Sequence, residues 1–150
     1  MKKYIIRKIA REDGKLLFRY IYDKYYKTDQ TDLDEFTASR RKAKNDTKAL
    51  YDYTTYIAIL GTSVAGILSI GEEYFVRTIE VLDYDDEELM EKFILIAAAG
   101  SKTPIMLNGE CDLKYDEERV NNLEEIMGSR IIKEEYVNQI KEKYNGNIQS

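Results

Sequence analysis

The sequence predicts a single α/β (α+β) domain over residues 1–150, with a mixed, mostly antiparallel central sheet and helices on both faces. Three observations lead to this. The stretch Tyr56–Leu82, YIAILGTSVAGILSIGEEYFVRTIEVL, holds the longest apolar runs and is punctuated by glycine-containing turns, the signature of consecutive hairpins. Its first two strands are apolar on nearly every residue, so both of their faces need cover. It is followed by a helical pattern of about a dozen residues and another short strand, the βαβ spacing that sets two strands parallel.

Taken in order, Lys3–Ile9 reads as a first strand, ended by Glu12-Asp13-Gly14. From Lys15 to about Lys27, Leu17, Ile21 and Tyr25 recur every four residues and give a helix one apolar face. Asp32 is placed to cap a second helix, with Glu35 completing a capping box. That helix runs from Leu33 to about Ala43 and continues toward Tyr51, with a break expected near Asn45-Asp46. Its apolar positions are sparse (Leu33, Phe36, Ala43, Leu50). The central strands are Tyr56–Leu60, Val64–Ile70 and Tyr74–Leu82, turned at Gly61-Thr62-Ser63 and Gly71-Glu72-Glu73. A helix over Glu87–Ala99 follows, with Asp85 as N-cap and Gly100 just past its end. Thr103–Asn108 is the fifth strand, and Glu117–Met127 a further helix ended by Gly128. The tail carries two patterns. Arg130–Val137 fits a closing strand, whereas Ile132, Tyr136, Ile140 and Tyr144 recur at helical spacing. The strand, followed by a short polar tail, is the expectation adopted here.

Composition narrows the chemistry. At 43% apolar and 34% charged residues the chain has the balance of a water-soluble protein, and no apolar run reaches the length of a membrane span. Without an N-terminal apolar h-region, no signal peptide is expected. The lone Cys111 fits a reducing, cytoplasmic compartment. The chain has no histidine, which excludes Ser-His-Asp and Cys-His sites and any His-ligated metal centre. Acid–base work falls to Asp, Glu, Tyr or Lys. Residues 1–50 carry 14 Lys+Arg against 8 Asp+Glu, net +6, and the remaining hundred carry net −11. The basic half suits an anionic partner or a solvated helix face. Nucleic acid is not the expected partner, because the chain as a whole is acidic.

The order β-α-α-β-β-β-α-β-α-β resembles the GCN5-related N-acetyltransferase (GNAT) family. The best local matches are YIAILGTSVAGILSI (Tyr56–Ile70), similar to the family's second and third strands, and ERVNNLEEIMGSRIIKEEY (Glu118–Tyr136), similar to its last helix, glycine and closing strand. The chain looks like a divergent member. In place of the family's Arg/Gln-x-x-Gly-x-Gly/Ala pyrophosphate loop stands LDYDDEEL (Leu82–Leu89), with no glycine and five acidic residues.

The resemblance implies transfer of an acetyl or acyl group from acetyl-CoA or another acyl-CoA to a small-molecule or protein amine. It implies Glu80 as general base, with Tyr115 or Tyr136 as substitute acid. Val81, Leu82, Tyr84 and Asn108 would lie on the coenzyme. The bland reading of Glu80 is a solvated strand residue. The alternative function is a catalytically inactive GNAT-like scaffold, binding a protein or small molecule through Tyr22, Tyr26, Arg40, Arg41 and Lys44. The Lys/Tyr-rich, acidic composition resembles that of chains from bacterial or mobile-element genomes.

Overall fold

A computed structural model describes residues 2–27, 32–73, 76–101, 105–107, 131–132 and 134–149. Among these residues six strands form one sheet in chain order: β1 (Tyr4–Lys8), β2 (Thr54–Leu60), β3 (Ser63–Glu73), β4 (Val76–Asp83), β5 (Ile105–Leu107) and β6 (Ile131–Ile132). Every neighbouring pair is antiparallel except β4–β5, which is parallel and joined by α3 (Glu87–Ala98), as the βαβ spacing predicts. The expected helix Glu117–Met127 lies outside the described residues. Among these, no helix is long and apolar enough to cross a membrane.

The sheet is covered on both faces, and the strand pattern explains why. On β2, the adjacent Ile57 and Ala58 point to opposite faces and both are fully buried. One core packs α3 and α4 (Glu134–Gln149) against Leu68, Ile79 and Leu82. The other packs α1 (Gly14–Ile21) and α2 (Leu33–Ala49) against Ile57, Ile67 and Val81. Leu17 and Ile21, at the spacing read from the sequence, are fully buried, each contributing about 1.5–3 kcal/mol.

Several boundaries differ from expectation, each for a local reason. The tail is a helix, not a strand: only Ile131–Ile132 pairs with β5, and the four-residue recurrence belongs to α4, where Val137 and Ile140 are buried against α3. The Lys143 ammonium meets the buried Glu91 carboxylate of α3 at 2.8 Å, fixing this docking. α2 runs through Asn45-Asp46 without a break, because Ala43, Asp46, Thr47 and Leu50 share one buried stripe. Its predicted apolar positions Leu33 and Phe36 are exposed, Leu33 at 73%. Asp32 does cap α2, accepting from the Asp34 N–H. Gly71 does not turn the chain: it pairs with Thr78 inside β3, and the strand continues to Glu73. The α3 cap is Asp86, one residue later than expected, with its carboxylate accepting from the Leu89 N–H at 3.0 Å. Gly100 takes φ +72°, as a residue past a helix end should.

Candidate active site

The feature that shapes the site is a bulge in β4. Ile70 pairs with Ile79 and Ser69 with Val81, so Glu80 is an extra residue on β4 with no counterpart on β3. Among the described residues, β4 pairs with β5 at Thr78, opposite Met106, and at Ile79, opposite Leu107, and β4 itself continues to Asp83.

The bulge turns Glu80 inward. Thr55 and Ser69 pair across β2–β3 and share a hydrogen bond of 2.7 Å on the α1/α2 face. Gly71 lies two residues beyond Ser69 on that face. A Cβ on Gly71 would stand 3.2 Å from Glu80 Oε1 and 3.1 Å from Thr78 Oγ1. Glu80 therefore lies over Gly71 on the α1/α2 side. It is buried, with 8% of its surface exposed, and accepts a hydrogen bond from Thr78 Oγ1 at 2.7 Å. It is not the solvated strand residue of the bland reading. Glycine at position 71 makes the room that the carboxylate occupies.

Next along β4, on the same face, Asp83 forms a second buried acidic centre. Its carboxylate, 1% exposed, meets Lys24 Nζ at 2.7 Å and accepts hydrogen bonds from the Tyr20 and Tyr25 hydroxyls. The helix makes this convergence possible. After Ile21 the chain widens into a π-helical turn, Tyr22–Tyr26, closed by the Lys27 N–H on the Tyr22 carbonyl at 2.7 Å. Tyr25 and Tyr26, adjacent in sequence, thereby reach different partners: Tyr25 bonds Asp83 and Tyr26 bonds the buried Asp46 of α2. Burial first, and then Asp46, push the Tyr26 hydroxyl far above the usual tyrosine range, so it remains a donor.

The N-terminus of α3 adjoins the end of β4, and the chain fills it with its own charges. Asp86 caps it through the Leu89 N–H. Lys2 Nζ lies 2.9 Å from the Asp86 carboxylate, and the Tyr4 hydroxyl donates to Asp85 at 2.8 Å. Burial pushes Asp86 up, but the Leu89 N–H and Lys2 outweigh it and hold the carboxyl below the ordinary aspartate range. It is a fixed anion where a helix end would otherwise accept a bound one. Among the described residues no cluster of acidic, cysteine or histidine side chains could hold a metal ion.

The sequence matches no protein-family model and no curated protein. The structure is similar to that of a protein from Pyrococcus horikoshii, with 17% identity, 83% of this chain and 87% of that one covered, and a TM-score of 0.56. It is also similar to an acetyltransferase from Thermus thermophilus, at 14% identity, 84% and 88% coverage and a TM-score of 0.54. A third likeness is to the PaiA N-acetyltransferase from Thermoplasma acidophilum, solved in complex with coenzyme A, at 12% identity, 79% and 88% coverage and a TM-score of 0.50. The fold is that of the GCN5-related N-acetyltransferases.

Within this GNAT fold the predicted site residues separate into groups. Glu80 and Val81 face the α1/α2 core, and Leu82 and Tyr84 are buried in the core beneath α3. Tyr136 stands half-buried on α4, on the face opposite Glu80. Burial, then Glu91 and Glu87, raise its hydroxyl pKa. The sheet thus separates Tyr136 from Glu80. Tyr115 and Asn108 lie outside the described residues. Arg40 packs its guanidinium over the rings of Phe18, Tyr22 and Phe36, at 5.2, 5.9 and 5.5 Å. Lys44 lies on the same side of α2, and Arg41 is exposed on that helix. Sequence reasoning missed the Asp83 centre, because Asp83 reads as the start of an acidic loop. Its signal was the spacing of Tyr20, Lys24 and Tyr25, which puts three donors near one face of a helix.

Proposed function

We propose that this chain is an N-acyltransferase that moves an acyl group from a thioester, acetyl-CoA or another acyl-CoA, to a small-molecule amine. The observation that carries the reading is the β4 bulge at Glu80, which holds a buried carboxylate next to Val81 and Leu82. It sets a buried carboxylate beside the strand backbone of Val81–Leu82, and transfer from a thioester to an amine needs a base and an N–H donor together. The likeness to acetyltransferases, one of them solved with coenzyme A, supports the same reading at the level of fold.

In this scheme a backbone N–H of Val81–Leu82 donates to the acyl oxygen and stabilises the charge that develops there. Glu80 takes the proton from the attacking amine, directly or through one water. A C–N bond forms, the C–S bond breaks, and the thiol leaves with a proton from solvent. Thr78 and Gly71 position Glu80: one donates to it, and the other leaves space for it. The residues fit the acyl end of the donor. They do not fit a diphosphate on the α3 N-terminus, where the Asp86 carboxylate already holds the Leu89 N–H. The nucleotide end of a coenzyme would have to be held elsewhere.

The test is thiol release from acetyl-CoA across a panel of small amines, with acetyl-CoA binding measured separately by calorimetry. Glu80→Gln is expected to cut turnover by about 10²–10⁴-fold while leaving binding intact. Turnover equal to that of the natural chain would remove Glu80 from the reaction. Absence of both binding and turnover would remove the reading itself.

A further inference from the structure

The groove between α1 and α2 is a second feature, and the acyl-transfer scheme makes no use of it. It has a volume of about 1060 Å³ and is lined by six cations: Arg11, Lys15, Arg19, Arg40, Lys44 and Lys48. Their spacing is regular. Arg11, Lys15 and Arg19 recur every four residues along one side, and Arg40, Lys44 and Lys48 do so along the other. The helices run antiparallel, since Gly14 of α1 faces the Tyr51 hydroxyl just past α2 while Tyr22 meets Phe36 near its start. Two rows of three cations therefore lie side by side, each about 12 Å long.

All six are exposed, and among the described residues none of them makes an ion pair. Asp23, at one end, is the sole acid among the described residues that line the groove. Of the nearby carboxylates, Asp13 is held by Arg7 in two hydrogen bonds and Asp46 by Tyr26, while Glu12 stands near Tyr51. Like charges four residues apart on a helix repel each other, and here they face a second such row in a chain of net charge −5. An anion that bridges the rows would relieve this repulsion.

We propose that this groove binds a compact, multiply phosphorylated small molecule of the nucleoside-triphosphate class. The density of cations, several within reach of one another over about 12 Å with Arg forks among them, suits phosphate. Arg40 is already oriented by its three aromatic neighbours. A compact ligand fits because the positive rows end within the groove, while residues 51–150 carry net −11 and would repel a longer polyanion. Tyr51, 41% exposed in the groove lining near Arg11 and Lys48, offers its ring to an attached flat ring. The proposal stands independently of the acyl-transfer reading.

The experiment is calorimetric titration of the full chain with ATP and with inorganic triphosphate at low and raised salt. Both should bind with micromolar affinity, ATP the tighter, and weaken as ionic strength rises from about 50 to 200 mM. The double variant Lys15→Glu with Lys44→Glu should lose at least about tenfold in affinity with an unchanged circular dichroism spectrum. Lys42→Glu, a single charge reversal on α2 outside the lining and half the charge change of the double variant, should stay within about twofold. If the double variant does not fold, Lys15→Gln with Lys44→Gln replaces it, with a smaller loss expected. The proposal is overturned if neither ligand binds at millimolar concentration, or if the groove variants bind as the natural chain does. An equal loss in Lys42→Glu also overturns it. So does a ten-residue oligothymidylate or polyglutamate that binds more than about tenfold tighter than ATP, since the groove would then serve a polymer.

Discussion

Gly66 occupies the tightest backbone approach among the described glycines. A Cβ there would lie 2.4 Å from the Asp83 carbonyl oxygen, 2.8 Å from Leu89 Cδ2 and 3.0 Å from Phe93 Cε2. Ordinary non-bonded contact begins nearer about 3.5 Å, so Gly66→Ala overlaps the carbonyl by about 1 Å. Neither side can retreat cheaply. Asp83 is paired with Ile67 on β3, and its side chain is tied to Lys24, Tyr20 and Tyr25. Leu89 and Phe93 are fully buried in the core under α3. Overpacking costs about 1–3 kcal/mol, and a clash with backbone belongs at the upper end, near 3 kcal/mol. In a domain of this size that corresponds to a drop of about 6–12 °C in Tm. Thermal unfolding followed by far-ultraviolet circular dichroism measures it, with urea unfolding as a check that the slope is unchanged. A variant melting within about 2 °C of the natural chain would refute the close approach of β3 to the β4–α3 junction, and with it the register that places the bulge at Glu80.

Asp83→Ala should destabilise by about 3–5 kcal/mol in urea unfolding, since it strands two tyrosine hydroxyls and leaves Lys24 without its partner; a loss below about 1 kcal/mol would show the centre to be solvated. Gly71→Ala should move the Glu80 carboxylate, because the new Cβ stands 3.2 Å from it. Turnover should fall by about tenfold or more with a Tm change of only a few degrees, and unchanged turnover would detach Gly71 from the site. The Arg7 guanidinium beside Asp13 holds that carboxyl below the usual aspartate range, helped by the Ala10 N–H and opposed by burial. The stability this contributes is complete above the unfolded pKa and is lost as pH falls through the lowered folded value. The Tm gap between the natural chain and Asp13→Asn should therefore narrow as pH drops from about 5 to 2, and a constant gap would contradict the pairing.

The architecture was legible because burial leaves a mark in the sequence. Ile57 to Leu60 and Val64 to Ile70 are apolar on both faces, and that alone places the meander in the middle of the sheet. The parallel β4–β5 pair followed from the spacing across α3. What the sequence could not show depends on register. No composition reveals that Glu80 is an unpaired extra residue, since the bulge exists only relative to β3. Gly71 reads as a turn because glycine often turns chains. Its work here is to leave room over a sheet, and only the opposing strand displays that. The tail misled for a related reason. Ile131 and Ile132 do start as strand, and the helical recurrence begins immediately after them, so two correct signals overlap. In the acidic stretch after Leu82 the capping carboxylate is Asp86 and not the expected Asp85.

The most direct test of the central claim is a backbone-amide NMR titration of isotopically labelled protein with acetyl-CoA. If β4 at the bulge receives the acyl group, shifts should concentrate at Glu80, Val81 and Leu82, with the α3 amides at Leu89 and beyond little moved. Shifts absent from β4 at millimolar acetyl-CoA, or centred on the α3 N-terminus, would contradict the account.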